Sequence, residues 1–396
     1  MNRLLEGVKI LDFTQYKAGP MGTQILGDMG ADIIKIERSK GGDLERSFAT
    51  FGRFTGKGDS PFFLAMNRNK RSLALNIKTP EAKEIIYKMA AEADVVVQNF
   101  RPGVLKKLGY GYEDFKKINP NIIYCSNSGY GLTGPYVKRP GQDLLAQAMS
   151  GLIMMNGTED SPTAVATSVP DAVTALYLCI AILGALYHKR DTGEGQEIDV
   201  DLLSSAIAIQ QEEISAYLNL KPRPEFKRSK TGLAAPWNGA PYGIYKTSDQ
   251  KYIALGVVPM EKLSELIHAP ELVKYTELED AFDHRDDIRP VVQEKILENT
   301  QEYWVDYMLG FDVWCAPVNS FEEMIHDPQV MHNQNIRKMS HSVLGEIGVV
   351  AQPIRCSKTP LSYEMAPPVL GQHSEEILHE LGYGDDEIQD ILKKQI

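Results

Sequence analysis

The first 130 residues alternate short apolar runs with amphipathic segments, and this alternation is the clearest pattern in the chain. The apolar runs VKILDF (8–13) and ADIIKIE (31–37) flank AGPMGTQILGDMG (18–30), a glycine-proline loop that opens a helical segment. A strand, a helix and a second strand in that order are typical of a βαβ unit. Its two strands are expected to be parallel, because the helix returns the chain to the same end of the sheet.

The alternation continues to residue 127. Further strands are predicted at LALNI (73–77), DVVVQN (94–99) and NIIYCSN (121–127). The segment 79–93 is predicted as a helix, with Thr79 as its N-cap and Pro80 at its first position. The pattern predicts an α/β fold with a Rossmann-like, doubly wound parallel sheet and helices on both faces.

The longest apolar run, Ala172 to Tyr187, is predicted as a buried helix. It is interrupted by Thr174 and is shorter than the roughly 20 residues that a membrane span needs. The start of the chain, Met1 to Phe13, lacks the basic start and cleavage site of a secretory signal. The four cysteines are scattered without a CxxC pair, so neither a zinc site nor a disulfide framework is predicted. We therefore expect a cytoplasmic protein that has no membrane partner.

The composition changes near residues 220–240, where proline, glycine and basic residues become frequent. We interpret this region as a linker. The sequence after it predicts a hairpin that turns at Ser248, Asp249 and Gln250. The predicted organisation is a large Rossmann-like domain, a linker, a smaller α+β domain and a return segment that completes the large domain, at residues 1–215, 216–240, 241–328 and 329–396.

Charge and missing motifs exclude several functions. A net charge of -11 argues against a general nucleic-acid binder, whose contacts with phosphates need a basic surface. The GxGxxG fingerprint is absent after the first strand, which disfavours a nicotinamide dehydrogenase. No serine nucleophile elbow, HExxH or P-loop is present, and the eight histidines are isolated. We therefore predict no metal site and expect any chemistry to depend on carboxylates.

Seven segments, taken in order, resemble the family III CoA-transferases (the CaiB/BaiF family), which include formyl-CoA:oxalate and carnitine CoA-transferases and the related α-methylacyl-CoA racemases. The segments are LLEGVKILDFTQYKAGPMGTQILGDMGADIIKIER (4–38), NRNKRSLALNIKTPEAKE (67–84), VVVQNFRPGVLKKLGY (95–110), GYGLTGPYVKRPGQDLLAQAMSG (129–151), GEGQEIDVDLL (193–203), CAPV (315–318) and PPVLGQHSEEILHELGY (367–383). The resemblance implies a homodimer of two interlocked rings that acts on an acyl-CoA and a free carboxylate. Coenzyme A is then a substrate, and no permanently bound cofactor is expected.

The resemblance implies that Asp171 is the nucleophile. Its carboxylate would attack an acyl-CoA thioester to form a mixed anhydride, and the CoA thiolate would then convert the anhydride to an aspartyl-CoA thioester. An acceptor acid would reverse these steps and leave as the new acyl-CoA. An ordinary aspartate, with a pKa of about 3.9, is ionised at neutral pH and needs no general base. The residues alone favour a second role equally well, because an acidic residue before an apolar helix commonly serves as its N-cap.

The resemblance also implies a CoA site built from basic groups, a stacking ring and the backbone of one strand. The implied contacts are Lys17, Ala18, Arg38, Ser72, Leu73, Ala74, Leu75, Asn99, Phe100, Lys107, Arg139, Gln142 and Asp143. Each basic residue is equally consistent with a solvated surface charge. Lys17 stands where formyl-CoA transferase has a glutamine, and one hypothesis is that it stabilises developing oxyanions. Asp143 is expected either beside the thioester or as the cap of the helix that follows it.

Two alternatives to a transferase stay open. A racemase needs a histidine–aspartate pair to move a proton on and off the α-carbon. The histidine would immediately precede Asp143, where this chain has Gln142, and glutamine does not exchange a proton near neutral pH. The transferase is therefore the preferred prediction. A non-catalytic CoA-binding protein is the third possibility.

Overall fold

The computed structural model describes residues 3–52, 59–231 and 236–395, and the chain forms two compact units. The larger unit comprises residues 1–146, 168–206 and 328–396, and the second comprises residues 147–167 and 207–327. The predicted large domain, residues 1–215, differs from this division at residues 147–167 and 207–215, which belong to the second unit. The predicted linker 216–240 includes residues 232–235, which lie outside the described residues.

The strands of both units are numbered here in chain order. They are β1 Lys9–Asp12, β2 Asp32–Glu37, β3 Lys70–Ala74, β4 Val95–Gln98, β5 Ile123–Ser128, β6 Gly157–Thr158, β7 Ser161–Pro162, β8 Glu197–Asp201, β9 Gly243–Lys246, β10 Tyr252–Leu255, β11 Cys315–Pro317, β12 Ile336–His341 and β13 Gly345–Val350.

The α-helices are numbered in the same way. They are α1 Ala18–Asp28, α2 Pro61–Met66, α3 Pro80–Glu92, α4 Val104–Leu108, α5 Tyr112–Lys116, α6 Asp143–Met149, α7 Val169–Thr192, α8 Leu202–Ala208, α9 Gln211–Asn219, α10 Met260–Leu266, α11 Leu278–Asp283, α12 Arg285–Ile296, α13 Gln301–Gly310, α14 Phe321–Ile325, α15 Pro328–His332, α16 Ser374–Glu380 and α17 Asp385–Gln395. Short 3₁₀ turns occur at Leu44–Ser47, Leu152–Met155 and Pro270–Tyr275.

Six strands of the larger unit form one parallel sheet in the order β3-β2-β1-β4-β5-β8. The predicted large parallel sheet is therefore confirmed. The chain moves outward from β1 through β2 to β3, and then continues on the other side of β1 with β4. In open α/β sheets, ligands bind at the carboxyl ends of the strands where the strand order reverses, which here is between β1 and β4.

Two apolar cores lie on opposite faces of this sheet, because successive side chains of a strand point to opposite faces. Leu11 belongs to the core that includes residues of α3 and α16, whereas Ile10 belongs to the core that includes residues of α1 and α7. Helices α1 and α7 approach each other closely at Gly22, where an added Cβ would lie 2.8 Å from Cδ2 of Leu178. Glycine at this position therefore permits the close packing of the two helices.

Strand β3 begins at Lys70, three residues before the predicted start. The Lys70 side chain is fully buried and pairs with Asp12, with 3.1 Å between Nζ and Oδ2. It also donates a hydrogen bond to the Pro20 carbonyl at 2.9 Å. Burial of a charged side chain is acceptable when ionic and hydrogen-bonding partners are provided. A search for apolar runs cannot detect a strand whose buried residues are charged.

Helix α7 is longer and more exposed than the predicted buried helix 172–187. Its buried face includes Leu178 and Ile182, but Ile180 and Tyr187 on the other side are each 63% exposed. The prediction of a buried helix is therefore wrong for one face. Among the described residues, α7 is the one helix long and apolar enough to cross a membrane, and 39% of its apolar window is buried. Length and composition alone are weak evidence for a span.

The second unit contains the antiparallel sheet β11-β10-β9. The predicted hairpin between β9 and β10 is confirmed, and Gln250 in its turn has a φ of 65°. Helices α10, α12 and α13 contribute to its apolar core. Within this core, Trp304 Nε1 donates a hydrogen bond to the Ile296 carbonyl at 2.7 Å.

Candidate active site

Asp171 lies in the first turn of α7 and is partly buried. The N-cap is Ser168, whose side chain makes no capping hydrogen bond. The first N–H groups of a helix have no partner inside it, and here Asp143 Oδ1 accepts a hydrogen bond from the Asp171 N–H at 3.1 Å. The expectation that Asp171 caps the helix is wrong, because α7 begins at Val169 and Asp143 supplies the cap. Among the described residues, the Asp171 carboxylate forms no hydrogen bond or ion pair.

The environment of Asp171 disfavours its ionised form. Burial, followed by the nearby Asp143 carboxylate, raises the pKa of Asp171 to about 6, although the Lys17 ammonium opposes this shift. A helix N-terminus favours an anion by about 0.3–1 kcal/mol, which is less than one pKa unit. The pKa of Asp171 is therefore higher than the ordinary aspartate value used in the sequence-based reasoning. At pH 7 the carboxylate is still mostly ionised.

The loop between β1 and α1 brings Lys17 to this site, together with Ala18 at the start of α1. Lys17 is the N-cap residue of α1, and Ala18 is buried with Ala146 of α6. Both polar ends of the Asn99 side chain hold the loop. The Asn99 Oδ1 accepts from the Gln15 N–H at 2.8 Å, and its Nδ2 donates to the Gln15 carbonyl at 2.7 Å. Asn99 follows β4, so it holds the loop at the point where the strand order reverses.

A buried carboxylate, Asp43, joins the same loop to the 3₁₀ turn Leu44–Ser47. Its Oδ1 accepts hydrogen bonds from the N–H groups of Tyr16 at 3.1 Å and Glu45 at 3.0 Å. Its Oδ2 lies 2.8 Å from Lys35 Nζ, and both side chains of this ion pair are fully buried. The positions of Lys17 and of the 3₁₀ turn are therefore linked through one carboxylate.

Glu45 in this turn belongs to the site although no sequence motif predicted it. Burial raises the pKa of Glu45 to about 7, with further contributions from Asp43 and Asp171, while Lys17 lowers it. Glu45 therefore lies close enough to Lys17 and Asp171 for their charges to interact. The available signal was the acidic pair in GGDLER (41–46), which follows the carboxyl end of a predicted strand.

A cleft at the carboxyl ends of β1, β2 and β4 contains two of the residues implied for CoA binding. Arg38 and Phe100 line this cleft together with Thr14, Gln15 and Asp43. The Arg38 Nε donates a hydrogen bond to the Gly42 carbonyl at 3.0 Å. The cleft therefore extends from an exposed guanidinium and an aromatic ring to the carboxylate that holds the Lys17 loop.

The implied CoA residues in β3 and directly after it, Ser72 to Leu75, face mainly into the protein. The Ser72 hydroxyl donates to Glu37 Oε1 at 2.7 Å and accepts from the Gly371 N–H at 2.9 Å. Leu73 and Leu75 belong to an apolar core. Ala74 is half-buried and lines a second cleft.

The remaining implied residues are exposed. Lys107 lies on α4, and Arg139 lies over the ring of Tyr136, with its Cζ 3.8 Å from the ring centroid. Gln142 immediately precedes α6. None of the three lines the cleft that contains Arg38. Within the described ranges, no group of three or more His, Cys, Asp and Glu side chains is arranged to hold a metal ion.

The family model for CoA-transferase family III matches residues 5–374. The chain is a family III CoA-transferase. Human succinyl-CoA:glutarate CoA-transferase is 38% identical to it over 396 residues, which cover 98% of this chain and 88% of the relative. Formyl-CoA:oxalate CoA-transferase from Escherichia coli O6:H1 is 32% identical over 411 residues, covering 98% of each chain.

A solved structure has a similar fold. The crystal structure of a CaiB/BaiF family protein from Brucella suis is similar to this CoA-transferase with a TM-score of 0.83 and 32% identity, covering 96% of this chain and 100% of the other. The predicted family is confirmed. The chain is an acyl-CoA:carboxylate CoA-transferase, an enzyme that moves CoA between a thioester and a free acid, and CoA is its substrate.

Proposed function

We propose that this CoA-transferase works through covalent intermediates on Asp171. The observation that carries the proposal is a partly buried carboxylate in the first turn of α7, which has no partner among the described residues and lies near a lysine. A carboxylate attacks a thioester more readily when it is not held by hydrogen bonds to other groups, because those bonds stabilise the attacking anion. Asp143 supports this arrangement by capping α7, which leaves the Asp171 carboxylate free.

The reaction consists of balanced substitutions at acyl carbons. The Asp171 carboxylate attacks the thioester carbon, the C–S bond breaks, and CoA leaves as a thiolate from the mixed anhydride. The thiolate attacks the aspartyl carbonyl carbon, the donor acid leaves as a carboxylate, and aspartyl-CoA remains. An acceptor carboxylate attacks aspartyl-CoA and expels the thiolate. The thiolate then attacks the acyl carbon of the new anhydride, which forms the new acyl-CoA and restores Asp171.

The neighbouring residues have separate tasks in this scheme. The Lys17 ammonium stabilises the oxyanions that form at each attack. Arg38 and Phe100 bind the nucleotide end of CoA, and Asn99 holds the loop that carries Lys17. Water competes for the anhydride, but a retained thiolate acts with an effective molarity on the order of 10⁵ M, against about 55 M for water. Retention of CoA therefore protects the intermediate.

We also propose that the chain works as the interlocked homodimer of its family, in the cytoplasm and without membrane or nucleic-acid partners. The exposed face of α7 supports a homodimer. Leu176, Ile180 and Tyr187 recur at helical spacing and are 49%, 63% and 63% exposed. An apolar stripe of this kind is typical of a protein–protein contact.

A racemase is the weaker alternative because Gln142 stands where that reaction needs a histidine. Its test is exchange of the α-proton of a branched acyl-CoA in deuterated water. We expect no exchange.

The test of the proposed function is to trap the intermediate. The human relative is named for succinyl-CoA, so we propose succinyl-CoA as the first donor to incubate with the protein, followed by hydroxylamine and peptide mass spectrometry. We expect a hydroxamate at Asp171, none in Asp171→Ala, and normal labelling in the control Asp160→Asn, whose side chain is exposed. Labelling at another residue, or none with any acyl-CoA, would refute the mechanism.

A further inference from the structure

Glu45 is an acidic residue near Asp171, and it takes no part in the proposed mechanism. Its backbone N–H is held by Asp43 Oδ1, the oxygen that also accepts from the Tyr16 N–H. Tyr16 immediately precedes Lys17 and has a φ of 63°, a left-handed conformation that turns the chain here. One buried oxygen therefore holds both Glu45 and the loop that carries Lys17.

The charged and titratable groups that interact with Glu45 come from several elements. They are Lys17 at the start of α1, Lys35 of β2, Asp43 in the preceding loop, Asp171 on α7, and the Tyr16 hydroxyl. The neighbouring Arg46 binds Glu37 and Asp59, at 2.6 Å from an oxygen of each. The helix α2, which packs against this turn, has no charged side chain.

The side chains of Glu45 and Lys17 are both available to bind a ligand. Among the described residues, neither side chain forms a hydrogen bond or an ion pair. Lys35, by contrast, is paired with Asp43. Among the described residues, Lys17 is therefore a cation that interacts with both Glu45 and Asp171 and forms an ion pair with neither.

We propose that Lys17 and the Glu45 carboxyl group together bind the carboxylate of the free acid substrate, with Glu45 donating a hydrogen bond and Lys17 supplying positive charge. The inference rests on the proposed function, because the acid has to be held within reach of the intermediate on Asp171. The ligand class is the ionised carboxylate of an organic acid. The same pair would hold the donor acid as it leaves, since the two half-reactions are mirror images.

Electrostatics require Glu45 to be neutral for this task. If Glu45 were ionised, the incoming carboxylate would meet the negative charges of Glu45 and Asp171 with one lysine between them, and like charges disfavour binding. A neutral carboxylic acid, by contrast, donates a strong hydrogen bond to an anion. The pKa of Glu45, at about 7, lies above that of Asp171, at about 6. Near pH 6.5, Asp171 is therefore the more ionised of the two carboxyl groups and Glu45 the more protonated.

The inference predicts how KM for the acid depends on pH. The protein is assayed from pH 6 to 8.5 with succinyl-CoA as donor and acetate and glutarate as acceptors. In the wild type, KM for the acid should rise about tenfold for each pH unit above about 7, as binding requires a group that is losing its proton. In Glu45→Gln the rise should disappear, since the amide donates at every pH.

Two further variants separate hydrogen bonding from charge. Glu45→Ala removes the donor, so KM for the acid at pH 6.5 should increase about tenfold, while KM for succinyl-CoA stays within about twofold. The control is Glu84→Gln on α3, an exposed glutamate paired with Lys88, and it should match the wild type. A rise of KM with pH that persists in Glu45→Gln, or an unchanged KM in Glu45→Ala at pH 6.5, would overturn the inference.

Trapping with hydroxylamine separates this inference from the proposed function. Labelling of Asp171 by acyl-CoA needs no added acid, so Glu45→Gln should label as the wild type does. If the wild type does not label at Asp171, the proposed function fails. If it labels normally but the Glu45 variants leave KM for the acid unchanged, only the role of Glu45 fails.

Discussion

Replacing Asp171 by asparagine is expected to abolish CoA transfer and to make the folded protein more stable at neutral pH. Burial and the Asp143 carboxylate raise the pKa of Asp171 from 3.8 to about 6. A carboxyl group whose pKa rises on folding stabilises the fold while it is protonated. That contribution is lost as the pH rises from about 4 through about 6. Above pH 7 the ionised carboxylate therefore lowers the free energy of unfolding, whereas asparagine carries no charge.

The magnitude follows from the size of the shift. A rise of about two units in the pKa corresponds to about 3 kcal/mol of unfolding free energy, since one pKa unit equals about 1.4 kcal/mol. The Asp171 side chain is partly exposed, and solvent screens part of this penalty. We therefore expect Asp171→Asn to raise the free energy of unfolding by about 1–2 kcal/mol at pH 7.5. Asparagine has nearly the shape of aspartate, so the substitution leaves no cavity.

The assay is urea unfolding at pH 5, 6 and 7.5, with the wild type and the exposed control Asp160→Asn beside Asp171→Asn. The advantage of Asp171→Asn over the wild type should shrink steadily from pH 7.5 to pH 5, as the wild-type carboxyl gains its proton. Asp160→Asn should show no such trend. A variant no more stable than the wild type at pH 7.5, or an advantage that does not change with pH, would refute the reasoning.

Three other predictions concern the same unit. Asp143→Asn keeps an oxygen for the Asp171 N–H but removes a negative charge, so the acidic limb of the kcat/KM profile should move down by on the order of one pH unit; an unchanged limb would contradict the charge interaction. Lys17→Met should move the acidic limb of the kcat/KM profile to higher pH and lower kcat about 10²-fold, the effect of losing one oxyanion donor. A kcat equal to that of the wild type would contradict a role of Lys17 in stabilising oxyanions. Ile180→Glu places a charge on the exposed stripe of α7 and should shift light-scattering mass from dimer to monomer, whereas a dimer that persists would show that this face is not the interface.

Local sequence patterns determined much of the fold. The two apolar strands around AGPMGTQILGDMG predict a βαβ unit, and β1, α1 and β2 form one. The predicted cap of α3 is also confirmed, since the Thr79 side chain accepts from the Ala82 N–H at 3.2 Å. Such features depend on residues a few positions apart, so short-range periodicity and capping preferences are sufficient to predict them.

Elements with buried charges were less predictable. Lys70 begins a strand inside the protein because Asp12, distant in sequence, supplies the opposite charge. The first turn of α7 was misassigned for a similar reason. The cap of Asp171 comes from Asp143, 28 positions earlier, so no window around the helix start contains it.

The sequence by itself determined the parallel sheet, the family resemblance and the choice of Asp171 as the candidate nucleophile. Only the tertiary structure decided that Asp171 has a raised pKa, that Asn99 holds the β1–α1 loop, and that Glu45 shares the site. The reason is physical. A pKa depends on burial and on charges within a few ångströms, and Lys17, Glu45, Asp143 and Asp171 become neighbours only when the loops after β1 and β2 meet the starts of α6 and α7.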